Sequence, residues 1–259
     1  MLYDRTLIQI RERSFLDLLD LSLYVIRSRP IILGLTALIG IAPWAALNYW
    51  LLSEPEFPKL FWLVLLVLEV PWATAPLTLV LGDLMFSVPP RPVQLLRTFF
   101  VCAPALFLSQ FIVRSVLLVT VICYPFMPSQ YAYLDEVVLL ERFRAFRQFK
   151  RSRTLSRGLE GDFFLRWLCQ ILLGTTFALC FWMSATTLGS TLIGNEVTWQ
   201  NPGMGDLSGV LFQTGVWIAV GFFGVYRFFS YIDLRIRLEG WELVLRLKAV
   251  ARRLEAKAD

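Results

Sequence analysis

Glu141-Arg142-Phe143-Arg144-Ala145-Phe146-Arg147-Gln148-Phe149-Lys150-Arg151-Ser152-Arg153 is the stretch on which the architecture turns. Basic residues alternate with phenylalanines here, and with Arg157 and Arg166 they place eight Lys and Arg within residues 141–166. A segment this basic, lying between apolar runs, is retained on the cytoplasmic side of a membrane. Three other segments share the bias. Residues 1–30 hold five basic residues, 82–98 hold two and 233–259 hold seven, so 22 of the 25 Lys and Arg fall in four places. Two further polar segments lack it: 53–59 hold Lys59 beside Glu54 and Glu56, and 194–208 hold no basic residue beside Glu196 and Asp206.

The runs between these segments are long and apolar. Residues 31–52 carry no charge, 60–81 carry only Glu69, 163–193 begin near Arg166, and 209–232 end near Arg227. Each reaches the roughly 20 residues that cross about 30 Å of hydrocarbon. Residues 98–140 are harder: 43 residues, broken early by Arg114, overshoot one crossing. Because 82–98 and 141–166 both belong inside, this region crosses twice or not at all. The reading is an all-α, polytopic transmembrane helical bundle, one integral membrane domain over 1–259. It has six spans, at about 31–52, 60–81, 98–117, 119–140, 163–193 and 209–232. Spans three and four form a tight hairpin bent near Pro125 and Pro128; a re-entrant pair is the alternative.

Composition agrees. The chain is 57% hydrophobic and 17% charged, with a mean hydropathy of +0.61, against about 25% charged in soluble domains. It contains no histidine, which excludes imidazole as base, acid or metal ligand. The net charge of +5 is explained by the anionic cytoplasmic leaflet rather than by nucleic acid. Cys102, Cys123, Cys169 and Cys180 form no C-x-x-C pair and read as small buried thiols. The first 27 residues mix acids and bases instead of forming a basic stretch and an apolar core. Both termini are therefore expected in the cytoplasm of a cell with an inner membrane.

Two cytoplasmic helices are expected, at about 14–29 and 238–256. Ser14-Phe15-Leu16-Asp17 matches a capping box. Asp17, Asp20, Tyr24 and Arg27 then share one face, opposite Phe15, Leu18, Leu19 and Ile26. Pro30 suits the first turn of the following span. At the far end Trp241, Val244, Leu245 and Leu254 share a face. Such helices lie along the membrane or pack beneath the bundle.

The residues able to carry chemistry are few. Glu69 lies near mid-span, where an unpaired carboxylate is costly, and Pro71 and Pro76 follow it, each removing a backbone donor. Glu69, Arg114 and Arg227 form the candidate intramembrane polar site. It is either a centre for a substrate or proton or a set of helix-orienting pairs, with Glu69 and Arg114 as the expected pair. Arg227, close to the inner end, is expected to snorkel. Arg142, Arg144, Arg147, Lys150, Arg151 and Arg153 form a surface for anionic headgroups or a partner, each worth about 1 kcal/mol. Asp135 and Glu136, at the end of span four, and nearby Glu141 read as solvated charge. No Walker A sequence, G-x-S-x-G or metal-ligand spacing is present, so no catalytic residue, metal or cofactor is expected.

Leu140-Glu141 leading into Arg151-Ser152 and Arg157-Gly158, and Tyr231-Ile232-Asp233-Leu234-Arg235-Ile236-Arg237-Leu238-Glu239-Gly240 with the following Trp241-Glu242-Leu243, form two signatures. They resemble those of a prokaryotic group of six-span proteins that includes the membrane domain attached to some glycerophosphodiester phosphodiesterases. In that group the phosphodiester chemistry belongs to a separate soluble domain, and no such domain is expected in this histidine-free chain. The resemblance implies an integral membrane protein without that activity. Asp233, Arg235, Arg237 and Glu239 are then the expected structural ion pairs, with Arg235 and Glu239 at i,i+4 spacing. The functional expectation is a non-enzymatic accessory or scaffold component of the membrane. It meets lipid headgroups or a cytoplasmic or membrane protein partner, and no nucleic acid. The alternative is a transporter or lipid-handling protein with a polar path at Glu69 and Arg114.

Overall fold

The computed structural model describes residues 14–54, 58, 61–85, 92–108, 131–141, 147–193 and 209–239. Every described element is helical. Helix α1 spans Phe15–Ser28, α2 Pro30–Ser53, α3 Phe61–Met85 and α4 Pro92–Leu106. Helix α5, Leu134–Glu136, is one short turn that continues with π-type hydrogen bonding over Val137–Glu141. Helix α6 spans Arg147–Ser156, α7 Glu160–Ile193 and α8 Val210–Glu239.

Among the described residues four helices are long and apolar enough to cross a membrane: Pro30–Leu52, Phe61–Met85, Glu160–Gly189 and Val210–Leu238. The protein is thus an all-helical membrane protein by length and composition. Residues 109–130, where the third and fourth expected spans meet, lie outside the described residues, as do residues 240–259 of the second expected surface helix.

Helix starts follow local chemistry. Ser14 Oγ accepts from the Asp17 amide at 3.2 Å and Asp17 Oδ2 accepts from the Ser14 amide at 3.1 Å, closing the capping box. Pro30 occupies the first turn of α2, where a missing amide costs nothing. Gly158, at φ +82°, makes the turn from α6 into α7.

Helix α8 is the central element and the most buried of the four long helices, whereas α2 and α7 are largely exposed. It packs on α7, α3, α1 and α2, while α2 pairs with α3 and α3 with α4. Outward faces of α2 and α7 carry exposed apolar side chains such as Ile39, Leu172 and Leu188. Where lipid replaces water as the surroundings, such exposure carries no penalty. Close helix approach is bought with small residues. A Cβ on Gly40 of α2 would collide with the Ala73 carbonyl oxygen of α3, so the two backbones touch. Gly215 of α8 meets the Ala178 backbone of α7 in the same manner, at 3.0 Å.

One end of the bundle, here the base, holds the largest core. Leu18 and Val25 of α1, Leu33 of α2, Leu81 and Leu84 of α3, Phe163 of α7 and Ile232 of α8 share it. Tyr133 and Val137 belong to the same core, and Leu95 of α4 packs against it. The chain therefore leaves the base through α4 and is back at the base by α5. A second apolar cluster, of Trp62, Ala178, Trp182 and Phe212, lies towards the opposite end. Cys102 is buried and Cys169 half-buried, whereas Cys180 is exposed on the outside of α7. The expectation of uniformly buried thiols fails there, because an apolar run does not reveal which of its faces meets helix and which meets lipid. Cys123 lies outside the described residues.

Candidate functional site

Arg227 projects from α8 towards α5, not along its own helix to the surface. Its Nη2 donates to the Ala132 carbonyl at 2.9 Å, to Asp135 Oδ2 at 3.0 Å and to Glu136 Oε2 at 3.1 Å. The snorkelling expected of Arg227 is thereby corrected. So is the solvated state expected of Asp135 and Glu136, which are 4% and 3% exposed. The cause is the tight turn at 131–133, which aims both carboxylates at α8. One guanidinium stands against two carboxylates, and charges buried to this degree persist only when paired.

A second cluster lies one turn further along α8. Glu141, the last residue of the π-type segment, accepts from the Tyr231 hydroxyl at 2.6 Å and from Arg151 Nε at 3.0 Å. Arg235 Nη1 approaches the same carboxylate at 3.4 Å and lies 5.8 Å from the centre of the Tyr231 ring. One carboxylate thus joins α5, α6 and α8. The expected solvated Glu141 is instead the centre of a clasp. The two sequence signatures quoted for the family resemblance meet here, since Glu141 and Arg151 come from one and Tyr231 and Arg235 from the other. Arg237 pairs with Asp233 at 2.6 Å across one turn. Arg235 thus reaches Glu141; the side chain of Glu239, its expected partner, lies outside the described part.

The clasp holds α6 at the base. Gln148, Ser152, Leu155 and Ser156 face inward, and Arg147, Lys150, Arg153 and Arg157 face outward. Arg142 and Arg144 lie outside the described residues.

Glu69 is 4% exposed and faces α2, where Asn48 Nδ2 donates to its Oε2 at 2.6 Å. Asn48, itself fully buried, is a partner that sequence reasoning overlooked; its only signal was a carboxamide inside an apolar run. Arg114, the expected partner, lies outside the described residues.

A cavity of about 560 Å³ lies between α3, α7 and α8. Val67 and Val70 of α3 line it and Glu69 does not, because Glu69 points to the α2 side. The cavity's charged groups, Arg166 and Arg227, lie at the base with the hydroxyls of Tyr133, Tyr226 and Ser230. Arg166 of α7 donates from Nη1 to Ser230 Oγ at 3.3 Å and pairs through Nη2 with Asp162 at 3.2 Å. The hydroxyls of Tyr133 and Ser230 share a hydrogen bond of 2.6 Å, and the Tyr226 hydroxyl stands beside Ser230 and Arg166. Sequence reasoning treated Arg166 only as the edge of a span. Its i,i+4 relation to Asp162 was visible, but its meeting with Ser230, 64 residues away, was not.

No family model matches this chain, and neither a curated protein nor a solved structure does.

Proposed function

We propose that the chain is a non-enzymatic, multi-pass protein of the cytoplasmic membrane. Its six spans leave both termini in the cytoplasm, and amphipathic helices line the inner face. It acts as an accessory or scaffold component whose basic inner surface meets anionic headgroups or a cytoplasmic partner. The likeness to phosphodiesterase-attached membrane domains belongs to this proposal and extends to architecture alone.

The observation that carries the reading is the clasp at Glu141. It fixes α6 at the base with Arg147, Lys150, Arg153 and Arg157 turned outward. A cationic row held rigid needs little ordering when it meets phosphates, which favours headgroup contact. The return of the chain to the base between α4 and α5 supports an even number of crossings in 98–140.

Reconstitution into vesicles containing spin-labelled phosphatidylglycerol tests the surface. Replacing Arg147, Lys150 and Arg153 by Gln is expected to remove local enrichment of the anionic lipid, at about 1 kcal/mol per charge. Enrichment unchanged by the triple substitution would sink the headgroup reading. Cysteines placed by Arg153→Cys and Lys257→Cys, in a background without the natural four, are expected to react from the same side.

Lipid handling is the second reading, favoured by the cavity between α3, α7 and α8 rather than by Glu69.

A further inference from the structure

We infer that the cavity between α3, α7 and α8 is a binding site for one acyl tail of an anionic bilayer phospholipid, with the headgroup phosphate held by Arg166. The inference rests on the lipid-handling reading and gives it a site and a ligand class.

The shape argues for a tail. The volume of about 560 Å³ falls within the roughly 300–1,000 Å³ of ordinary ligand sites. The walls along its length are mostly apolar, including Leu66 and Val70 from α3, Ile171 from α7, and Val216, Val220 and Phe223 from α8, interrupted by Thr74, Gln170 and Thr175. Trp62 and Phe212 line the far end, with their rings edge-on at 6.1 Å. Along α8 the cavity extends from Ser230 to Phe212, about 27 Å at 1.5 Å per residue. That exceeds half of the roughly 30 Å hydrocarbon thickness, so a tail entering from the base leaflet fits lengthwise.

The charge argues for an anion. The two charged residues lining the cavity are both arginines, Arg166 and Arg227. Arg227 is spent on Asp135 and Glu136, which stand behind it and outside the lining. Arg166 is held differently. Its carboxylate partner Asp162 is 55% exposed in its side chain, and its other contact is the neutral Ser230 hydroxyl. A phosphate oxygen arriving at the base meets a guanidinium already oriented by Ser230, with the Tyr133 and Tyr226 hydroxyls beside it. Bidentate guanidinium–phosphate contact is the strong form of such recognition. Arg166 lies in the second turn of α7, at the base end of the cavity.

The test is lipid retention. The full chain is reconstituted in nanodiscs of equal phosphatidylglycerol and phosphatidylcholine, extracted into mild detergent, washed, and its bound lipid quantified by mass spectrometry. The wild-type chain is expected to keep about one phosphatidylglycerol per chain in preference to phosphatidylcholine. Arg166→Gln is expected to lower that retention about tenfold or more, as loss of a charged hydrogen-bond partner does. Arg166→Lys, which keeps the charge, is expected to retain more than Arg166→Gln. Val220→Trp, which fills the cavity, is expected to abolish retention of both lipids. Monodisperse elution of each variant confirms folding, and the Arg166→Lys comparison stands if Val220→Trp fails it. The inference is overturned if the wild-type chain keeps no lipid, keeps both lipids equally, or keeps phosphatidylglycerol despite Arg166→Gln. The α6 triple substitution leaves this tightly held lipid in place, so failure of the surface reading and failure of this one give different patterns.

Discussion

Arg227 shows what a single side chain does in this protein. Three acceptors converge on its Nη2, two of them buried carboxylates. Replacing Arg227 by Leu removes the countercharge and leaves both acids stranded. The expected loss is about 3–5 kcal/mol, the usual result of breaking one side of a buried pair. It is read as a lowered midpoint of thermal unfolding in detergent; a midpoint equal to that of the unsubstituted chain would show that Asp135 and Glu136 are satisfied without it. Arg227→Lys keeps the charge but loses the planar fork, so its midpoint is expected to fall between the two. None of this was legible in the sequence. The partners lie 91 and 92 residues away, and neither periodicity nor hydropathy encodes a contact of that separation. The local pair Arg237–Asp233 belongs to the opposite case, since its i,i+4 spacing is printed in the chain.

At the level of elements, the existence of the four long apolar helices was readable and their ends were not. The run expected at 60–81 becomes α3, which continues through Asp83 to Met85. The run expected at 209–232 becomes α8, which continues to Glu239. Hydropathy marks where a helix meets hydrocarbon, whereas backbone hydrogen bonding carries it on into the polar layer. The capping box at Ser14 was legible because its chemistry is confined to four residues. The pairing of α2 with α3 was not, because it depends on Gly40 lying over the Ala73 carbonyl. Gly40→Ala tests that pairing. Its added methyl cannot be met by a side-chain rotation, because the obstacle is backbone, and the helices must part. A cost of about 1–3 kcal/mol is expected, the range for overpacking. Gly34→Ala, where the new methyl meets nothing within 4 Å, is the control and is expected to be neutral or slightly stabilising.

At the scale of the whole molecule, the base carries the clasp, the largest core and the cavity's charged end, and the opposite end carries an aromatic cluster. The distribution of Lys and Arg set the expectation that the base faces the cytoplasm, because the positive-inside bias acts on segments and not on pairs. The cavity was invisible, since its walls come from three helices whose apolar faces look alike in sequence. The Gly40–Ala73 contact and the Asn48–Glu69 hydrogen bond bear also on how the chain is made. A ribosome delivers α2 and α3 in succession, and α3 alone would offer the insertion machinery a naked acid followed by Pro71 and Pro76. Arriving as a preformed pair with α2, it offers that acid already capped by a carboxamide. Glycosylation mapping in microsomes should therefore find residues 61–85 integrated less efficiently alone than behind residues 30–53. Asn48→Leu should erase most of that advantage, and equal efficiency in all three cases would mean that the two helices enter the bilayer independently and meet only afterwards.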